Sequence, residues 1–175
     1  MMTFSTPRPE VWLRGPLPGI PVLLQPVAHG LLQCREELTA TLTGLAPEQI
    51  WQRPSGAASI GFHARHAAGS LDRLFTYARG ERLSPAQQAA LAAEEHPDLT
   101  PDAPATLVAA FHDAVERALE QLRATSETTL ADARGVGRAQ LPSTVLGLLF
   151  HAAEHTQRHI GQLVTTAKLV QSRRD

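Results

Sequence analysis

Apolar residues recur at helical spacing in four stretches of the chain, with polar residues filling the opposite faces. The first stretch runs from about Val27 to Leu45 and stops near Gly44 and Pro47. The second runs from about Ser59 to Arg79, with Ser59 placed to cap it and Gly80 to end it. The third runs from about Ala105 to Thr125 behind Pro101 and Pro104. The fourth runs from about Ser143 to Val170, where Ser143 follows Pro142 as a candidate N-cap. A long connection, Gly80 to Pro104, joins the second and third stretches and contains a short helical candidate, Ser84 to Glu95. The second helix is about 30 Å long, and an extended connection covers that distance at about 3.3 Å per residue. The chain can therefore return before the third helix begins, leaving helices two and three parallel. The pattern predicts an all-α fold, a four-helix bundle with a long crossover between helices 2 and 3. Residues 1–26 are too rich in proline for a continuous helix. They carry Trp12, Leu13, Ile20, Leu23 and Leu24, more apolar surface than a disordered arm usually has. An ordered strap packed on a bundle of residues 27–175 is expected.

Composition supports helices over sheets. Aromatic residues make up only 5% of the 175 positions, and alanine and leucine dominate. A formal net charge of −1 supplies no positive field for nucleic acid. The one basic cluster, Lys168, Arg173 and Arg174, reads as a solvated helix end. Cys34 is the only cysteine, which excludes an internal disulfide and a cysteine-rich metal site. It lies in an apolar stretch and is read as a packed core thiol. The apolar run Val11 to Leu24 is broken by Pro16, Pro18 and Pro21, so it is neither a signal sequence nor a membrane span. A soluble, cytoplasmic protein is expected.

The candidate chemistry lies in the eight histidines. His151-Ala-Ala-Glu154-His155-Thr-Gln-Arg-His159 falls in the fourth helix. Histidines four apart stand one turn above another and can share a metal ion. His159 lies inside the apolar arc formed by Val145, Leu148, Leu149, Ile160 and Leu163, and His155 borders it. His151 turns toward Glu154 and Arg158 on the polar side, so the inward pair is His155 and His159. A third ligand must come from another helix, and the second helix offers His63 and His66, about 60° apart on the wheel. The wheel slightly prefers His63, which is nearer the arc of Ile60, Ala67 and Leu71. His151-x-x-Glu154-His155 also matches the inverted zinc-peptidase motif. The wheel turns His151 and Glu154 outward, however, and the only later acid is Asp175. His29, His96 and His112 read as surface residues, although His29 could reach the interior. Glu116 and Glu120 read as a solvated face shared with Arg117 and Arg123. No phosphate loop, serine elbow or paired-glutamate di-iron motif is present.

Leu45-Ala-Pro-Glu-Gln-Ile-Trp51-Gln-Arg-Pro54, followed by Ser59-Ile-Gly61 leading to His66, resembles the DinB-like (DinB/YfiT) superfamily. So does His155-Thr-Gln-Arg-His159-Ile-Gly161-Gln162-Leu163. The resemblance extends from about Val27 to Lys168. It implies a four-helix bundle with a crossover between helices two and three, often a homodimer. It also implies a divalent transition metal, zinc, nickel or similar, held by one histidine of the second helix and two of the fourth. By register from Ser59-Ile60-Gly61 the implied ligands are His66, His155 and His159, against the wheel's preference for His63. Gly69 stands where relatives often carry a polar or acidic residue. Some relatives are transferases or isomerases that use a low-molecular-weight thiol. The expectation is a metal-dependent enzyme that activates a thiol or water on a small-molecule substrate, with no catalytic residue assigned. A non-catalytic metal-binding or stress-response dimer is the main alternative, and a metal-dependent hydrolase the lesser one.

Overall fold

A computed structural model describes residues 8–172. Arg173, Arg174 and Asp175, like the first seven residues of the strap, lie outside that range. The helices are α1 (Gln25–Leu42), α2 (Pro47–Ile50), α3 (Ile60–Ala78), α4 (Pro85–Ala92), α5 (Ala103–Ala124) and α6 (Val145–Ser172). The four long ones are the predicted bundle helices. Each buries one apolar stripe, and the stripes meet in one core containing Leu31, Leu38, Leu71, Phe111, Leu149 and Ile160. Burying each such side chain contributes about 1.5–3 kcal/mol.

Cross-helix contacts give the direction of each helix. His63 meets His159, and His66 meets His155, so α3 and α6 are antiparallel. Asp72 pairs with Arg117, and the Phe75 carbonyl accepts from Gln121, so α3 and α5 are parallel. Arg35 pairs with Glu116, and Thr39 meets His112, so α1 and α5 are antiparallel. The order is up, down, down, up, and the crossover makes the parallel central pair possible, as its length predicted.

The Ser59 hydroxyl accepts from the Phe62 N–H at 3.1 Å and caps α3. Gly80, at φ 80°, follows the helix in the left-handed region that glycine adopts without strain. The capping of α6 differs from expectation. Ser143 and Thr144 belong to a strand, and it is the Thr144 hydroxyl that accepts from the Gly147 N–H at 3.0 Å. That strand, β2 (Leu141–Thr144), pairs antiparallel with β1 (Ala133–Val136), a hairpin the hydrophobic pattern did not predict. Arg134 fastens the hairpin to the end of α3 by donating to the Ala78 carbonyl at 2.8 Å.

Residues 8–24 lie along α1 and the end of α5. Arg14 donates to both carboxylate oxygens of Glu36, at 2.5 and 2.8 Å, and the Leu23 N–H donates to Glu127. Ile20 and Leu24 enter the core, whereas Trp12, Leu13, Val22 and Leu23 are exposed.

The crossover is held differently. No residue of α4 is buried. Its N-terminus carries a reciprocal cap, in which the Ser84 N–H donates to the Gln87 side chain and the Ser84 hydroxyl accepts from the Gln87 N–H. Gln87 donates to Asp72 and Thr76 of α3. Beyond α4, Arg65 donates to the carbonyls of Ala93 and His96, and the Trp51 indole N–H donates to the Asp98 carbonyl at 2.8 Å. Trp51 reaches this position by lying against Gly61, where an added Cβ would fall 2.7 Å from the indole ring.

Gly61→Ala is expected to destabilise the protein by about 1–3 kcal/mol through this overlap. Denaturant unfolding checks it; an unchanged midpoint would show that Trp51 is not confined there.

Candidate metal centre

Antiparallel packing of α3 on α6 brings His66, His155 and His159 together. One nitrogen from each ring lies within 4.8 Å of the others. The Nε2 atoms of His66 and His155 are 2.9 Å apart, and the His159 ring centroid lies 4.3 Å from that of His66 and 4.5 Å from that of His155. All three are half-buried, so the cluster lies beneath the surface of the bundle but is not sealed in it.

Two of the three rings have their remaining nitrogen held by the protein. His66 Nδ1 donates to Glu94 Oε2 at 2.7 Å. An ionised carboxylate only accepts, so the proton sits on Nδ1 and the Nε2 lone pair faces the cluster. His159 Nδ1 lies 3.0 Å from His63 Nδ1, leaving its Nε2 uncommitted. His155 Nδ1 is buried with no hydrogen-bond partner among the described residues. Phe62 stacks on the His66 ring, with centroids 5.4 Å apart.

Electrostatics favour the neutral form of His63, His155 and His159. Burial is the largest cause lowering the pKa of His63, His155 and His159, and the charge of neighbouring His66 adds to it in each case. His159 is brought down from its ordinary 6.5 to about 4. Glu94 lies the other way. Burial pushes its carboxyl up, but the hydrogen bonds from His66 and Arg73 outweigh burial and hold it below the ordinary value. Cys34 is raised to about 12, chiefly by burial, and is a core thiol rather than a nucleophile.

The residues present suit a divalent transition ion. Nitrogens bound to one tetrahedral ion at about 2.0–2.1 Å lie about 3.3 Å apart, so His66 and His155 need separate by only a few tenths of an ångström. Holding the second nitrogen of a ligating histidine with a carboxylate or another acceptor is the usual support for such a site.

The other candidates fall outside the cluster. His63, which the wheel preferred, is buried and meets His159 through Nδ1, so it stands beside the three converging rings. His151 is exposed and pairs with Glu154, whose carboxylate is also taken by Arg158, so the inverted-peptidase arrangement does not form. His29 meets the Gly15 carbonyl in the strap rather than the interior, and His112 meets Thr39. The sequence pattern did not reveal Glu94. It lies in the crossover, 28 positions from His66, beside the exposed Glu95, and only docking of the crossover distinguishes the two.

Fold and site together define a mostly helical crossover bundle with a three-histidine cluster between its second and fourth long helices. Residues 31–163 match the sequence profile of the DinB superfamily, and the chain belongs to that family. No protein of curated function matches the chain.

The depressed pKa of His159 gives a pH test on metal-free protein. Between about 4 and 6.5 the unfolded chain binds more protons at this position than the folded one. The stability it contributes is complete above about 6.5 and is lost as pH falls toward 4. The unfolding midpoint should therefore fall on acidification in chelator-treated protein, and less steeply in His159→Gln; parallel curves would show that His159 titrates normally.

Proposed function

We propose that the protein binds one divalent transition ion, zinc, nickel or similar, through His66, His155 and His159 and uses it as a metal-dependent enzyme. The supporting observation is the convergence of three imidazole nitrogens, two of them aimed inward by partners on their opposite nitrogens. A divalent ion held there supplies Lewis acidity that acidifies a thiol or a water. Three protein ligands leave a position for such a molecule, the feature that separates catalytic from structural zinc sites.

The chain's own residues do the rest. His155 and His159, their pKa values lowered chiefly by burial, are ready to bind at neutral pH without first losing protons. Phe62 shields one face of His66, and the three rings are only partly buried. Glu154 is occupied by Arg158 and His151, and Glu94 by His66 and Arg73, so neither of these carboxylates is free to act on a water. This favours a thiol, which is nucleophilic once acidified, over metal-dependent hydrolysis. Cys34 is sealed in the core, so the thiol would come from a low-molecular-weight cosubstrate. Thiol transfer or isomerisation of a small electrophile fits these features best. No helix among the described residues is long and apolar enough to cross a membrane.

A non-catalytic, dimeric metal-binding module has one observation of its own. Leu146 and Phe150 are exposed on α6, and Gly161 follows on the same side with no neighbour within 4 Å of an added Cβ. That surface suits a homodimer contact, which an enzyme of this family would also use.

Metal analysis of purified protein should give about one equivalent of zinc or nickel per chain, and His155→Ala should lower it. Stoichiometric metal in a His66/His155/His159 triple-alanine variant would overturn the site. Loaded protein is then assayed with cellular thiols and electrophiles; absence of turnover across a broad panel would favour the binding module.

A further inference from the structure

Glu94 is the only buried acid among the described residues. It is 5% exposed, yet it belongs to a crossover whose helix, α4, contributes no buried residue. The two oxygens of its carboxylate have separate partners. Oε2 accepts from His66 Nδ1 at 2.7 Å, and Oε1 accepts from Arg73 Nη1 at 2.8 Å. Arg73 is itself buried, so both charges of the pair are withdrawn from water and each depends on the other.

Gly69 makes the arrangement possible. It lies on α3 between His66 and Arg73, and an added Cβ there would fall 2.7 Å from Arg73 Nη1 and 2.8 Å from Glu94 Oε1. A polar or acidic side chain at this position, as the family resemblance leads one to expect, would occupy the space that the ion pair fills. In this chain the acid comes instead from the crossover. The other anchors of the segment are polar: Gln87 before Glu94, Arg65 to the Ala93 and His96 carbonyls on either side of it, and Trp51 after it. A segment held by partly buried polar contacts, with no buried apolar residue in 85–98, opens at lower free energy than the core helices. Glu94 is its one buried attachment to α3.

We propose that Glu94 is a positioning residue that fixes His66 for metal binding and latches residues 85–98 to α3, so that docking of the crossover and metal binding reinforce each other. The inference rests on the three-histidine reading above. A docked Glu94 holds the proton on His66 Nδ1 and presents Nε2 to the ion. An ion on Nε2 in turn makes Nδ1–H a stronger donor to Glu94. Linkage requires the two effects to be equal, so whatever factor docking adds to metal affinity, metal adds to docking.

The test is zinc affinity, by competition with a chromophoric chelator, together with hydrogen exchange of residues 85–98 with and without zinc. The unaltered chain should show slower exchange in 85–98 on zinc binding, with the strap at 8–24 unchanged. Glu94→Gln should bind zinc about 10–100-fold more weakly and lose the zinc-dependent protection. If Glu94→Gln fails to fold, Arg73→Gln/Glu94→Gln, which leaves no lone buried charge, carries the same measurement. Unchanged zinc affinity in a folded variant, or zinc binding that leaves exchange in 85–98 unaltered, overturns the latch alone. A lower unfolding midpoint with unchanged affinity also overturns it and shows Glu94 to be merely structural. Failure of the unaltered protein to take up zinc or nickel overturns the three-histidine reading and the latch with it.

Discussion

The antiparallel seam between α3 and α6 is the constraint on which the rest depends. Ala67, one turn beyond His63 on one helix, and Ala152, one turn before His155 on the other, are both buried. Small side chains let helix axes approach closely, and close approach sets His66 against His155 at 2.9 Å. The direction of the seam matters equally. Because the helices run oppositely, His63 and His66 going up α3 meet His159 and His155 coming down α6, and every ring of the set gains a neighbour. The crossover returns the chain so that α5 lies parallel to α3 and α6 can take the antiparallel place.

Imidazoles placed in such a seam need partners, because an unsatisfied buried polar group costs about 1–3 kcal/mol. The accounts for the outer nitrogens are settled unevenly. His66 has a carboxylate, His159 has a second imidazole, and His155 Nδ1 has no described partner. The three rings are therefore inequivalent. His66, opposite an ionised acid, is the most electron-rich donor. His155 is the least restrained and is the ring most free to adjust when an ion enters. Burial, with repulsion from neighbouring imidazoles, lowers the pKa of His155 and His159, which raises the readiness of these two ligands at neutral pH and lowers the stability of the empty protein in acid.

Much of this was legible in the sequence. Helical spacing with proline and glycine stops gave the four long helices. The length of the connection gave the parallel central pair. The wheel turned His155 and His159 inward and His151 outward, as they are found. What failed did so for local physical reasons. Residues 133–144 hold only Val136 and Leu141 as large apolar residues, too few for alternation to mark the hairpin, and the hairpin moved the cap of α6 from Ser143 to Thr144. His63 and His66 differ on the wheel by less than two turns of register can resolve. The wheel rightly found His63 the more buried, but burial and convergence on the cluster are different properties. Glu94 could not be read from periodicity, because its burial comes from long-range docking of a polar segment onto the gap left by Gly69.

The central claim is that three imidazoles of this chain, and no sulfur, surround one divalent ion. X-ray absorption at the metal edge of the zinc- or nickel-loaded protein tests it most directly. The account predicts three imidazole nitrogens in the first shell, at about 2.0–2.1 Å for zinc, with the imidazole multiple-scattering lost in a His66/His155/His159 triple-alanine variant. A shell with two or fewer imidazoles, or with protein sulfur, would contradict it.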